Sequence, residues 1–113
     1  MKLALFWKKN GTIFNLGILE KNNNQYIFKI NQDELKLAIK QGCVGIGNFD
    51  LLKDEYVSDS LFSFFKNRIP DESNLNINEI LKEFDMNEYD EMELLKYTAG
   101  ELQTDNYYVE EVL

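Results

Sequence analysis

The chain has 113 residues, 44% of them hydrophobic, with eight Phe, six Tyr and one Trp, which suffices for one packed core and is unlike the aromatic-poor make-up of disordered chains. Its formal net charge of −8 opposes binding to nucleic acid or an anionic membrane, and the absence of histidine excludes the Ser-His-Asp and Cys-His triads. The single cysteine, Cys43, excludes an internal disulfide, and no apolar run approaches the ~20 residues of a membrane span, so one cytoplasmic domain spanning residues 1–113 is expected.

The apolar start, Met1 to Trp7, stops at Lys8-Lys9 and is too short for a secretory h-region. Leu3, Leu5 and Trp7 alternate with Ala4 and Phe6, the period of a strand. Asn10-Gly11 supplies the positive φ angles of a tight hairpin, and Thr12 to Glu20 reads as the returning strand, with Gly17 marking a bulge. After the polar turn Lys21–Asn24, Tyr26, Phe28 and Ile30 define a third strand, completing a meander.

Asn31 followed by Glu34 is a capping-box variant, and Leu35, Ala38 and Ile39 repeat at helical spacing until Gly42. Gly42, Gly45 and Gly47 then form a loop or short irregular strand. Ser58 opens a second helix that Pro70 closes, placing Leu61, Phe62, Phe65 and Ile69 on one apolar face and Phe64 at its border. Asn76 and Glu79 cap a third helix carrying Ile77, Ile80, Leu81 and Phe84. Asn87 caps a fourth, with Tyr89, Met92, Leu94 and Leu95, which Gly100 ends. Tyr107, Tyr108 and Val109 return to β-type residues and provide a closing strand for the meander. Strands first, helices in the middle and a closing strand give an α+β class: an antiparallel N-terminal β-meander with three to four helices packed against it.

Few motifs carry chemistry. Cys43 follows a helix C-terminus, where the dipole disfavours a thiolate, so a buried structural thiol is expected. The glycines at 42, 45 and 47 come after a helix rather than before one, the wrong order for a phosphate cradle. Asp85-Met86-Asn87 starts like a calcium loop, but Tyr89 holds the next ligand position and no glycine follows. Lys2, Lys8, Lys9, Lys21 and Lys29 are scattered along the strands and read as solvated positions that discourage aggregation rather than as a nucleic-acid stripe. No catalytic, metal or cofactor residue is assigned.

Charge is uneven along the chain. Residues 1–53 carry eight lysines against four carboxylates, and residues 54–113 carry four basic side chains against sixteen acidic ones. An acidic C-terminal half of this kind attracts basic protein surfaces.

One segment is specific. From Tyr56 the sequence runs Y-V-S-D-S-L-F-S-F-F-K-N-R-I-P-D-E, and it resembles the Tyr-x-Ser-Asp-x-[Leu/Val]-Phe-x-Phe-Phe-x-Asn-x-[Leu/Ile]-Pro-[Asp/Glu] stretch in the N-terminal subdomain of HipA-type serine/threonine kinases. Ser58, Asp59, Leu61, Phe62, Phe64, Phe65, Asn67, Ile69, Pro70 and Asp71 match it. Upstream, the hairpin with Gly17 and the Tyr26–Ile30 strand look like that family's opening elements, and Glu93-Leu94-Leu95 sits where the family has a Leu-Leu helix. In the family the ATP loop, catalytic Asp and metal ligands follow this subdomain, so the resemblance implies a domain that is not an enzyme. Free-standing copies, the HipS-like proteins, act as antitoxins by binding a shortened HipT kinase encoded beside a HipB-like DNA-binding protein. The resemblance therefore implies a HipA/HipT-like kinase as partner, a HipB-like protein reached through it, and no direct nucleic acid or membrane contact.

Phe64 off the apolar stripe, with Ser60, Asn67 and Arg68 beside it and Asp59 near, forms the candidate partner-binding set, since aromatic and arginine side chains are enriched in binding hot spots. The alternative for Phe64 is packing under a neighbouring loop. Two other functions are open: an acidic decoy for a DNA-binding protein or nuclease, and a structural subunit of an oligomer joined through the edge of the meander or of the tail strand.

Overall fold

A computed structural model of the chain describes residues 1–49 and 53–113. Among these residues it contains β1 (Lys2–Lys9), β2 (Thr12–Asn22), β3 (Gln25–Ile30), α1 (Gln32–Lys40), β4 (Glu55–Ser58), α2 (Ser63–Lys66), α3 (Ile77–Glu83), α4 (Glu91–Thr98) and β5 (Tyr107–Glu111). All strand pairings are antiparallel, and the order across the sheet is β4-β3-β2-β1-β5. The α+β class and the closing strand match the sequence reading.

The turns form for the reasons the residues supply. Asn10 and Gly11 both adopt positive φ, 51° and 83°, joining β1 to β2. The β1–β2 register shifts where Leu5 pairs with Gly17 and Phe6 with Asn15, so Leu16 is the extra residue of a bulge. Gly17 is needed there, because a Cβ would come within 2.4 Å of the Lys29 carbonyl oxygen. At the end of α1, Gly42 (φ 106°) sends its N–H to Ile39 O while Cys43 N–H reaches Ala38 O, the paired bonds of a Schellman cap. Asp85, left-handed at φ 57°, makes the same cap on α3, with Asp85 N–H to Lys82 O and Met86 N–H to Leu81 O. The calcium-like triplet is thus a helix stop.

One face of the sheet carries the core. Leu3, Leu5, Trp7, Leu19, Tyr26, Phe28, Ile30, Tyr107 and Val109 point inward and join Leu35 and Ala38 of α1, Phe65 of α2, Leu81 of α3, and Met92, Leu94 and Leu95 of α4 in one cluster. Cys43 is buried in it, as expected. Ile39, assigned to the apolar repeat of α1, is instead 41% exposed.

Three boundaries differ from the sequence reading. Ser58 does not open a helix: it ends β4, and its hydroxyl accepts from Ser60 N–H in a local turn. Only Ser63–Lys66 is helical, with Phe62 as an extended N-cap. Tyr56, Val57 and Ser58 pair with Phe28, Ile27 and Tyr26, and completing the sheet there outweighs the helical spacing of the apolar residues. Leu61, Phe65 and Ile69 are nonetheless buried. Asn87 does not cap α4: Asp90 does, accepting from Glu93 N–H at 3.0 Å. Asn76 stands at the α3 N-cap position without a side-chain cap bond, its N–H held by Asn74 Oδ1 at 2.8 Å. The glycine segment is a loop through Phe49, and the stretch it enters, 50–52, lies outside the described residues.

Candidate protein-docking site

The Tyr56–Asp71 segment leaves the edge of the sheet, turns at Asp59 and Ser60, and crosses the helical side as α2. Its aromatic side chains meet those of the sheet and the glycine loop in a continuous series. Phe49 lies edge-on to Tyr56 at 4.9 Å and tilted against Phe62 at 5.2 Å, while Phe28 contacts Phe49 at 5.0 Å and Phe65 at 5.2 Å. Phe64 is edge-on to Phe65 and to Tyr107, both at 5.2 Å. Such offset and edge-on pairs add about 0.5–1.5 kcal/mol each beyond their buried area. The half-buried members leave an open pocket of about 210 Å³ lined by Asn48, Phe49, Tyr56, Phe62, Ser63 and Phe64. Its walls are mainly apolar rings and its rim carries two uncharged polar side chains, a shape suited to one apolar or aromatic side chain of a partner.

Behind this pocket lies a buried arginine. Arg68 is 8% exposed. Its guanidinium donates to both oxygens of Asp105, at 3.2 and 2.5 Å, and to Gly100 O at 3.0 Å. It also stacks over the rings of Phe64 at 4.4 Å and Tyr107 at 5.0 Å. Tyr107 donates its hydroxyl to Gly45 O and approaches Cys43 Sγ at 3.4 Å. Burial, then Cys43, raises its phenol above the usual range. Gly47, at φ 51°, packs so closely that a Cβ would lie 3.0 Å from Phe64 Cδ1. Arginine, tyrosine and glycines together tie the motif, the glycine loop and β5 into one unit.

The five residues singled out from sequence are therefore divided. Phe64 is half-buried between Gly47, Phe65, Tyr107 and Arg68, packed under the glycine loop, with one side on the pocket. Arg68 is not a surface anchor, because its charge is consumed within the fold. Ser60, Asn67 and Asp59 are exposed, Asp59 accepting from Gln25 Nε2 at 3.4 Å. The structure adds Phe49, Tyr56 and Phe62 to the pocket. Helical spacing places Phe62 on the core stripe, and Phe49 sits in the loop whose path periodicity does not give; the density of aromatic residues from 49 to 65 is the signal that marks them.

A second, polar groove of about 730 Å³ lies between β3, the C-terminal side of the motif and α4, lined by Tyr26, Tyr89 and carboxylates including Glu88, Asp90 and Glu91. Tyr26 Oη donates to Glu91 at 2.9 Å and Tyr89 Oη to Pro70 O at 2.8 Å. Burial raises the Tyr26 phenol, reinforced by Glu91, and pushes Tyr89 up to about 12, with Glu91, Asp71 and Glu72 adding to it. Lys66 Nζ reaches Glu91 at 3.7 Å at its edge. Among the described residues no group of Cys, Asp and Glu is arranged to hold a metal ion, and no helix is long and apolar enough to cross a membrane.

Comparison with known proteins returns no match among curated proteins and none among solved structures. The model of the HipA N-terminal domain family does match, over residues 12–103, from the start of β2 past the end of α4. β1 and β5, which pair with each other, flank the matched region. On the strength of that match, which spans most of its length and includes the whole Tyr56–Asp71 motif, the chain belongs to the HipA N-terminal domain family.

Proposed function

We propose that this domain is a non-catalytic binding protein, an antitoxin-like inhibitor or regulator of a HipA/HipT-like toxin kinase, docking through the aromatic pocket of the motif. A HipB-like DNA-binding protein joins the assembly through the kinase. Membership of the HipA N-terminal domain family supports a HipA-associated toxin-antitoxin setting. The observation that carries the docking surface is that the family motif does more than fill the core: Phe62 and Phe64 remain half-exposed and line an apolar pocket. Aromatic walls with an uncharged rim are the make-up of an interface centre. The acidic groove beside it steers a basic kinase surface without fixing the fit.

The test uses a HipA/HipT-like kinase lacking this subdomain, mixed with the purified domain. Binding by calorimetry and a fall in kinase autophosphorylation are expected. Ser63→Arg, an exposed change that fills the pocket mouth, is expected to weaken binding at least tenfold while leaving the melting temperature unchanged. Undiminished affinity in that variant would remove the pocket from the proposal. The competing function, an acidic decoy for a DNA-binding protein, draws on the polar groove, and a DNA-binding partner whose affinity collapses between low and moderate salt would favour it.

A further inference from the structure

The face of the sheet turned away from the helices is unusual for an antiparallel sheet, whose open side is ordinarily polar. Strand alternation and register place Phe6 and Tyr108, Ile13, Ile18, Ile27 and Val57 on it, and none of these belongs to the core cluster or packs against it. Phe6 and Tyr108 stack on each other at 5.3 Å, Ile13 is 51% exposed and Val57 56%. Ala4, beneath them, is buried yet stands outside the core cluster. Among the described residues no helix covers this surface.

The charges of its strand residues balance, with Asp59 at the rim beyond β4 bonded to Gln25. Lys2, Lys8 and Lys29 share the face with Glu20, Glu55 and Glu110. Lys2 pairs with Glu20 at 3.8 Å, and Lys29 stands directly opposite Glu55. The net charge of −8 therefore resides on the helical layer and the loops. A partially apolar surface whose strand residues carry no net charge, on a chain whose other surfaces sum to −8, meets a copy of itself without net repulsion. Two copies meeting there also place their acidic helical layers on opposite outer sides, as far apart as the fold allows.

We infer that this face joins two copies of the chain in an isologous, sheet-on-sheet dimer. The edges offer less: β4 is only four residues long, and on β5 the outward amides of Tyr107 and Val109 are occupied, by Asp105 Oδ1 at 3.3 Å and Ala99 O at 2.8 Å. Association by face leaves the aromatic pocket of the helical side open, so the dimer does not depend on kinase docking.

Sedimentation equilibrium of the full chain alone, from roughly 5 to 500 μM, a range bracketing micromolar affinities, is expected to show a monomer–dimer equilibrium. Val57→Glu with Ile13→Glu changes two side chains already exposed, and is expected to weaken association at least tenfold with an unchanged melting curve. Lys29→Glu and Lys82→Glu alter net charge identically, one on the sheet face and one on α3, and only the first is expected to weaken the dimer. A wild-type chain that stays monomeric throughout, or equal effects of the two lysine changes, overturns the inference. Because no kinase is present, either result leaves the docking proposal to its own test.

Discussion

At the scale of single residues, Arg68 shows how a feature that resembles a binding hot spot can be internal. Its guanidinium joins Gly100, Asp105, Phe64 and Tyr107, residues from the end of α4, the following loop, the motif and β5. Removing one partner of a buried pair strands the other, so Arg68→Ala is expected to cost about 3 kcal/mol, the low end of the usual range because Asp105 is partly exposed. Urea unfolding measures it. Arg68→Lys recovers little, since an ammonium cannot make the two parallel bonds or lie flat on the rings. A loss below about 0.5 kcal/mol, the ordinary range of surface changes, would show that the cluster does not hold the loop. In sequence, nothing separated this arginine from an exposed one: its burial depends on Asp105, 37 positions away.

At the scale of elements, caps and turns were legible where local chemistry decides. Asn10-Gly11, Asn31 with Glu34, Gly42 and Gly100 lie where their conformational preferences place them. The α4 N-terminus was misplaced because Asn87 and Asp90 are equally good caps by composition, and the chain uses the one whose carboxylate meets Glu93 N–H. Asp90→Ala is therefore expected to destabilise the domain by about 1 kcal/mol, and Asn87→Ala by a few tenths at most. Chemical denaturation of the two variants side by side decides between them, and the reverse ranking would make Asn87 the cap of α4. The spacing of the motif predicts one long helix. Leu61, Phe65 and Ile69 fall at helical intervals, yet an extended segment followed by one helical turn buries the same three side chains.

At the scale of the whole molecule, three phenols, two buried and one half-buried, respond together to alkaline conditions. Tyr26 and Tyr107 are raised by burial, as is Tyr89, which reaches about 12 from an ordinary 10.0. Each hydroxyl donates a bond that holds distant segments together, to Glu91, Gly45 and Pro70 respectively. The folded chain keeps these protons while the unfolded chain releases them near pH 10. Their stabilisation is thus full below about pH 10 and declines as pH rises toward 12. Thermal melts are expected to drop steeply over that window, and Tyr89→Phe to flatten part of the decline. A phenolate absorbance titration in which all six tyrosines ionise near 10 would contradict it.

The sequence by itself determined the class, the meander, the closing strand, the acidic balance and the motif that marks the family, because hydrophobic period, turn residues and composition are local properties. Only the tertiary structure decided which motif residues face outward. The pocket needs Phe49 from a loop, Tyr56 from β4 and Phe62 and Phe64 from the α2 region at one point in space. The neutral apolar sheet face likewise exists only once five strands are in register. Both are products of long-range pairing, which periodicity along the chain does not encode.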